Sequence, residues 1–193
     1  MSVLFIDIDT QLDFLCPAGA LYVPGAECLI PTLAHLTRHA ARHGIPLVST
    51  VDAHTENDPE FRSWPKHCVA GALGQHKAEA TLVARRVVVP NRAGALEIDG
   101  AQQIVVEKQT VDAFQTHTFA RIVRHLDPGR IVVYGVVTEI CVLHAVRGLS
   151  EFGKPVTVVT DAIRELSERG CRVALDEMRS AGALFATAAE IAA

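Results

Sequence analysis

The sequence predicts a Rossmann-like α/β fold: three α/β/α layers with a mostly parallel six-stranded sheet. Short β-branched runs alternate with helical patterns, as in parallel sheets joined by helical crossovers. The runs are apolar throughout, which is expected when helices cover both faces of a sheet. A length of 193 residues suits one domain, so we expect a single domain over residues 1–193.

The elements are predicted from periodicity and from stop signals. Gly44 and Gly153 lie where helices should end, and a proline follows each of them two residues later. The predicted helices cover residues 26–42, 116–125, 139–152 and 167–181. The predicted strands cover residues 3–9, 46–52, 103–107, 130–135, 155–160 and 183–188. Residues 53–100 break this alternation with prolines, glycines and polar residues, which is typical of a functional or a disordered segment. Trp64, His67 and Cys68 lie inside it, so we expect a functional one.

Composition excludes several classes of protein. The formal net charge is −4 and the basic residues are scattered, so we expect no nucleic-acid partner. No apolar run approaches the roughly 20 residues that a membrane span needs. The first apolar run has no basic segment before it and contains acidic residues, so it predicts a strand in a cytoplasmic protein. Five cysteines without a CxxC pair argue against a disulfide framework or a structural zinc site.

Polar residues follow four of the predicted strands at one edge of the sheet. Asp9 ends the first strand, Asp52 the second, and Lys108 follows the third, while a turn leading to Cys141 follows the fourth. Ligands of open parallel sheets bind beyond the carboxyl ends of the strands. The sequence therefore predicts a site at this edge.

The turn before Cys141 is typical of a nucleophile at a helix start. Thr138 is a predicted N-cap, which places Cys141 in the first helical turn, where free N–H groups favour a thiolate and hold an oxyanion. Asp9 would take the thiol proton and later pass it to a leaving amine, and Lys108 would keep both groups ionised. The alternatives are a buried structural cysteine on a core helix, an Asp9 that caps a helix or forms a salt bridge, and an ordinary exposed lysine at a strand end.

A metal site is predicted next to this cysteine. Asp52 and His54 lie two residues apart on an extended strand, so their side chains point to one side. His67 and, less securely, Glu60 complete a mixed nitrogen and oxygen set suited to Zn²⁺, Fe²⁺ or Mn²⁺. The alternative is a group of exposed polar loop residues. Cys68 should point away from the site and pack.

The chain resembles the isochorismatase-like cysteine hydrolases, and among them the nicotinamidases. The matching motifs run through nearly the whole chain: Ile8-Asp9-Thr10-Gln11-Leu12-Asp13-Phe14, Asp52-Ala53-His54, Ser63-Trp64-Pro65-Lys66-His67-Cys68, Lys108 and Gly135-Val136-Val137-Thr138-Glu139-Ile140-Cys141-Val142. The first and last motifs are similar to those of the superfamily, and the segment around Trp64 is similar to that of nicotinamidases.

This resemblance implies further roles. A cis peptide would precede Val137, and the amides of Val137 and Cys141 would form the oxyanion hole. Phe14, Trp64 and Val137 would contact the substrate, with Phe14 and Trp64 clamping an aromatic ring. Asp52, His54 and His67 match metal ligands, while Glu60 falls at a position that varies among family members. The metal would hold the pyridine nitrogen of a nicotinamide.

We therefore expect hydrolysis of nicotinamide to nicotinate and ammonia through a thioester. Another small amide, carbamoyl or ureido substrate remains open, since Glu139 and Val137 stand where nicotinamidases often have Asp and Ala. A distant alternative is an aspartyl-phosphate phosphatase, suggested by Asp7 and Asp9, and another is a non-catalytic metal-binding or scaffold protein. The Ala-rich segment 173–189 suits a contact in a homo-oligomer or core packing equally well.

Overall fold

The computed structural model describes residues 2–193, which form a seven-stranded sheet with all strands parallel. The strand order is β3-β4-β2-β1-β5-β6-β7. The strands are β1 (Val3–Ile8), β2 (Leu47–Asp52), β3 (Arg86–Val89), β4 (Gln103–Lys108), β5 (Arg130–Val136), β6 (Val156–Arg164) and β7 (Leu184–Ala186). This confirms the predicted α/β class.

Among the described residues, six α-helices flank the sheet: α1 (Leu12–Leu15), α2 (Ile30–His43), α3 (Phe119–Leu126), α4 (Leu143–Ser150), α5 (Glu168–Ser180) and α6 (Ala188–Ile191). One apolar core joins α3, α4 and α5 to the sheet, and a second core joins α1, α2 and α6 to the opposite face. The fold therefore has the three layers that the sequence predicts. Among residues 2–193, no helix has the length and apolar character to cross a membrane.

The sequence prediction misses one strand, so its count of six is wrong. The additional strand, Arg86–Val89, has four residues at the edge of the sheet, and Val88 is about half exposed. A short edge strand with an exposed side lacks the continuous apolar run that marks the central strands. It lies within the segment predicted to be irregular, just before Pro90.

Helix boundaries also shift. The predicted helix 26–42 divides into a short 3₁₀ turn, Ala26–Leu29, and α2, which ends at Gly44 with a φ of 64° and a backbone hydrogen bond to Ala40. The predicted helix 139–152 divides into a wide turn, Thr138–Val142, and α4. Both divisions leave the apolar faces of the helices against the sheet.

The topology positions a site between β1 and β5. The chain leaves β1 toward β2 on one side and later returns to β5 on the other side, so the strand order reverses between these two neighbours. Open α/β sheets bind ligands in the crevice at such a reversal, beyond the carboxyl ends of the strands. Asp9 follows β1 and Cys141 follows β5 at this end.

Candidate active site and metal centre

Lys108 is the charged centre of the cluster at the carboxyl ends of the strands. Its Nζ lies 2.9 Å from Asp9 Oδ2 and 2.5 Å from Asp52 Oδ1, and only 1% of its side chain is exposed. Burial alone would lower the pKa of Lys108, but Asp52 and then Asp9 raise this pKa well above its usual value. The lysine is therefore a fixed cation between two buried carboxylates.

Asp9 is held by two neighbours at the end of β1. Its Oδ2 faces Lys108, and its Oδ1 accepts a 2.6 Å hydrogen bond from Thr50 Oγ1. Burial raises the pKa of Asp9 and the charge of Asp52 adds to this effect, while Lys108 opposes it. The net pKa is raised, so this carboxylate accepts a proton more readily than an exposed one.

Cys141 lies in the turn Thr138–Val142 that follows β5. The peptide between Val136 and Val137 is cis, as the resemblance implies. Burial raises the pKa of the Cys141 thiol, Lys108 opposes the rise, and the charge of Asp9 adds to it. The geometry thus brings together the three residues that the sequence assigns to one reaction.

Burial raises the pKa of Cys141, whereas the free N–H groups of a helix start would lower it. The prediction that Thr138 caps the helix is wrong. Thr138 is no N-cap, because the turn is wide and its first carbonyl is that of Val137, which accepts from Val142 N at 3.1 Å. Among the described residues, Thr138 Oγ1 has no hydrogen-bond partner.

The metal-type residues Asp52, His54 and His67 are buried and lie together. Their ligand atoms fall within 4.8 Å of one another, and Asp52 Oδ2 is 3.9 Å from His54 Nε2 and 3.8 Å from His67 Nε2. Burial favours the neutral form of Asp52, yet Lys108, His67 and His54 together lower its pKa, so it remains an anion suited to a cation.

The two histidines are oriented as metal ligands usually are. His54 Nδ1 lies 3.2 Å from Asp58 Oδ2, and His67 Nδ1 lies 2.7 Å from the carbonyl oxygen of Pro65. The Pro65 carbonyl holds a proton on His67 Nδ1 and leaves Nε2 of that ring free as a ligand. Within residues 2–193, both ring nitrogens of His54 are buried without a hydrogen-bond partner, although Nδ1 lies close to Asp58. The donor set therefore fits a divalent cation.

Glu60 and Cys68 lie at the margin of this group. Glu60 is half-buried on the turn Pro59–Arg62, and its carboxylate is not among the atoms that lie within 4.8 Å of one another. Burial and then the charge of Asp52 raise the pKa of Glu60. Cys68 packs in the apolar core with α1 and α2, as predicted.

An apolar pocket opens above the cluster. Its lining includes the predicted residues Phe14, Trp64, Val137 and Cys141, together with Asp52, Glu60 and His67. Five apolar lining residues were not predicted from the sequence: Leu21, Val23, Val111, Ile140 and Leu166. They lie in turns and loops, where single apolar residues carry no periodic signal. A pocket with apolar walls and a few polar groups is typical of a small-molecule site.

Glu139 connects the turn of Cys141 to one wall of this pocket. Its carboxylate accepts hydrogen bonds from Leu166 N at 3.1 Å and from Ser167 N at 2.9 Å. Leu166 lines the pocket although 43% of its surface is exposed. In the sequence, Glu139 stands out only as a departure from a motif, with no sign of this role.

Residues 3–190 match the model of the isochorismatase domain. The chain belongs to the isochorismatase family. It is therefore a hydrolase of that family, and the match covers the sheet, both helical layers and the whole cluster around Lys108.

Relatives of this isochorismatase-family chain include proteins named nicotinamidase and pyrazinamidase. Nicotinamidase of Escherichia coli is 25% identical over 219 residues, with 95% of this chain and 93% of that protein covered. The structure of Pyrococcus horikoshii pyrazinamidase in complex with zinc is 26% identical and has a TM-score of 0.80, with 97% of this chain and 99% of that chain covered. The structure of nicotinamidase from Bacillus subtilis is 25% identical and has a TM-score of 0.80, with 96% of this chain and 99% of that chain covered.

Proposed function

We propose that the protein is a cysteine-dependent amidohydrolase that converts nicotinamide and water to nicotinate and ammonia. The meeting of Asp9, Lys108 and Cys141 beneath an apolar pocket carries this proposal. The buried cation, the carboxylate with a raised pKa and the adjacent thiol supply the parts of an activated nucleophile. Relatives named nicotinamidase and pyrazinamidase support a heteroaromatic amide as the substrate.

Acylation would begin with transfer of the thiol proton from Cys141 to Asp9. The thiolate attacks the amide carbon, a carbon–sulfur bond forms, and the electron pair of the carbonyl moves to oxygen. The backbone N–H groups of Val137 and Cys141 hold this oxyanion. When the carbonyl re-forms, the carbon–nitrogen bond breaks, and the proton held by Asp9 leaves with the ammonia. Lys108 stabilises both anions during these steps.

Deacylation would use the same groups with water as the nucleophile. Asp9 removes a proton from water, and the hydroxide attacks the thioester carbon. The carbon–sulfur bond then breaks and Cys141 recovers its proton from Asp9. Nicotinate is released, so the two half-reactions together consume one amide and one water and release one acid and one ammonia.

The pocket suits a flat ring with one polar atom. Phe14 and Trp64 offer apolar surface to the ring, and Asp52, His54 and His67 are the residues that would hold a divalent cation such as Zn²⁺, Fe²⁺ or Mn²⁺. When bound, the cation supplies a Lewis acid that fixes the pyridine nitrogen and so orients the amide. Glu60, which also faces the pocket, is an additional candidate ligand.

The test is ammonia release from nicotinamide by zinc-loaded protein. We expect release by the wild type and none by Cys141→Ala, while Cys171→Ala, a half-buried cysteine on α5, should retain full activity. A panel with carbamoyl and ureido compounds identifies a different substrate. No release from nicotinamide by folded, zinc-loaded protein refutes this substrate, and release that survives Cys141→Ala refutes the cysteine mechanism.

A further inference from the structure

Strand β2 extends beyond the end of its neighbour β1. The last register pair between them is Ile8 with Thr50, after which the chain turns away at Asp9 with a φ of 51°. Strand β2 continues to Asp52, whose other side pairs with Lys108 in β4. Asp52 therefore faces β4 on one side and has no strand on the other.

The side chain of Gln11 takes the position of the missing strand. Its Oε1 accepts a 2.6 Å hydrogen bond from Asp52 N, and its Nε2 donates to Asp52 O at 2.8 Å. The same Nε2 donates to Gln75 O at 2.7 Å. Gln11 is fully buried. A side-chain amide has the same donor and acceptor as a peptide group, so Gln11 extends β1 by one hydrogen-bonding unit.

The residue held in this way connects the two halves of the site. One carboxylate oxygen of Asp52 pairs with Lys108, and the other faces the histidine pair. The direction of that carboxylate depends on where its backbone lies. We propose that Gln11 is a positioning residue, which fixes the backbone of Asp52 so that its carboxylate spans Lys108 and a bound divalent cation. This inference rests on the proposed metal site and is independent of the proposed amide substrate.

The chain offers a matched control in Gln103, at the opposite end of the sheet. Gln103 is also fully buried, its Oε1 accepts from Val83 N at 2.7 Å, and its Nε2 donates to Thr81 O at 2.9 Å. A change of either glutamine to methionine removes three hydrogen bonds without a large change in volume. Gln11 loses those with Asp52 N, Asp52 O and Gln75 O, and Gln103 loses those with Val83 N, Thr81 O and Ser49 Oγ. The two variants should therefore lose similar stability, and only a positioning role separates them.

The experiment measures zinc affinity by competition titration against a chromophoric chelator, with wild type, Gln11→Met and Gln103→Met. We expect Gln11→Met to raise the dissociation constant for zinc by about tenfold or more, the usual effect of removing an outer partner of a metal site. Gln103→Met should stay within about threefold of wild type. The visible spectrum of bound cobalt(II) should change in Gln11→Met alone, because it reports ligand geometry.

The outcomes separate this inference from the proposed function. The positioning role is overturned if Gln11→Met binds zinc within about threefold of wild type. It is also overturned if Gln11→Met and Gln103→Met lose zinc affinity equally. If Gln11→Met does not fold, Gln11→Asn, which keeps an amide one methylene shorter, decides by the same limits. A wild type that binds no zinc overturns the proposed metal site and this inference with it, whereas zinc binding without ammonia release overturns only the proposed substrate.

Discussion

Removal of the Lys108 ammonium should expose two buried carboxylates to each other. Its contacts with Asp9 at 2.9 Å and Asp52 at 2.5 Å each correspond to roughly 6 kcal/mol of attraction at an effective dielectric constant of about 20. The cost of burying three charges offsets much of this, and loss of one partner of a buried pair typically costs about 3–5 kcal/mol. Lys108→Met should therefore lower the free energy of unfolding of chelator-treated protein by that amount, measured by urea denaturation.

The control for this change is a second buried ion pair. Lys77 Nζ lies 2.7 Å from Asp7 Oδ2, and both side chains are buried. Lys77→Met should lose comparable stability but leave the pH dependence of Cys141 alkylation unchanged, while Lys108→Met shifts it. Addition of Asp9→Asn to Lys108→Met should recover part of the lost stability, since it removes an unpaired charge. If Lys108→Met lowers the free energy of unfolding by less than about 1 kcal/mol, as loss of an exposed ion pair does, then Lys108 does not hold two buried charges together.

Three further predictions follow from the same cluster. Burial and Asp9 raise the pKa of Cys141, so iodoacetamide should label Cys141 at a higher pH than it labels a free thiol. Asp9→Asn should lower the midpoint pH of this labelling, and a rise of the midpoint would contradict the prediction. Glu139→Ala should raise KM for nicotinamide by roughly tenfold with a smaller change in kcat, because Leu166 loses its anchor; a larger loss in kcat contradicts that role. Zinc at about 100 times its Kd should raise the free energy of unfolding of the wild type by about 2.7 kcal/mol, measured by calorimetry. The same zinc concentration should not stabilise His54→Ala. Equal stabilisation of both proteins by zinc would argue against this site.

The sequence predicts the sheet and the position of the site because both depend on strong local patterns. Central strands such as Arg130–Val136 are continuous apolar runs, and polar residues directly after such runs must meet at one edge. The edge strand Arg86–Val89 lacks this pattern since one of its sides is open to solvent. Its existence depends on pairing with β4, which is 17 residues further along the chain and invisible to local periodicity.

Electrostatic and supporting details of the site could not be predicted in the same way. The pKa of Cys141 depends on how deeply the thiol is buried and on two carboxylates from distant segments. The role of Gln11 depends on the backbone turn at Asp9, which ends one strand two residues before its neighbour. Asp58, the partner of His54, follows it by four residues, a spacing that could have identified it as a supporting group.

The covalent step at Cys141 is tested most directly by trapping the intermediate. Zinc-loaded protein is mixed with nicotinamide, quenched in acid within the first turnover, digested and analysed by mass spectrometry. We predict a nicotinoyl thioester on the peptide that contains Cys141. This adduct accumulates in Asp9→Asn when the substitution slows deacylation more than acylation. Release of ammonia in the first turnover with no adduct on that peptide, under quench conditions that preserve a synthetic thioester, would contradict the account.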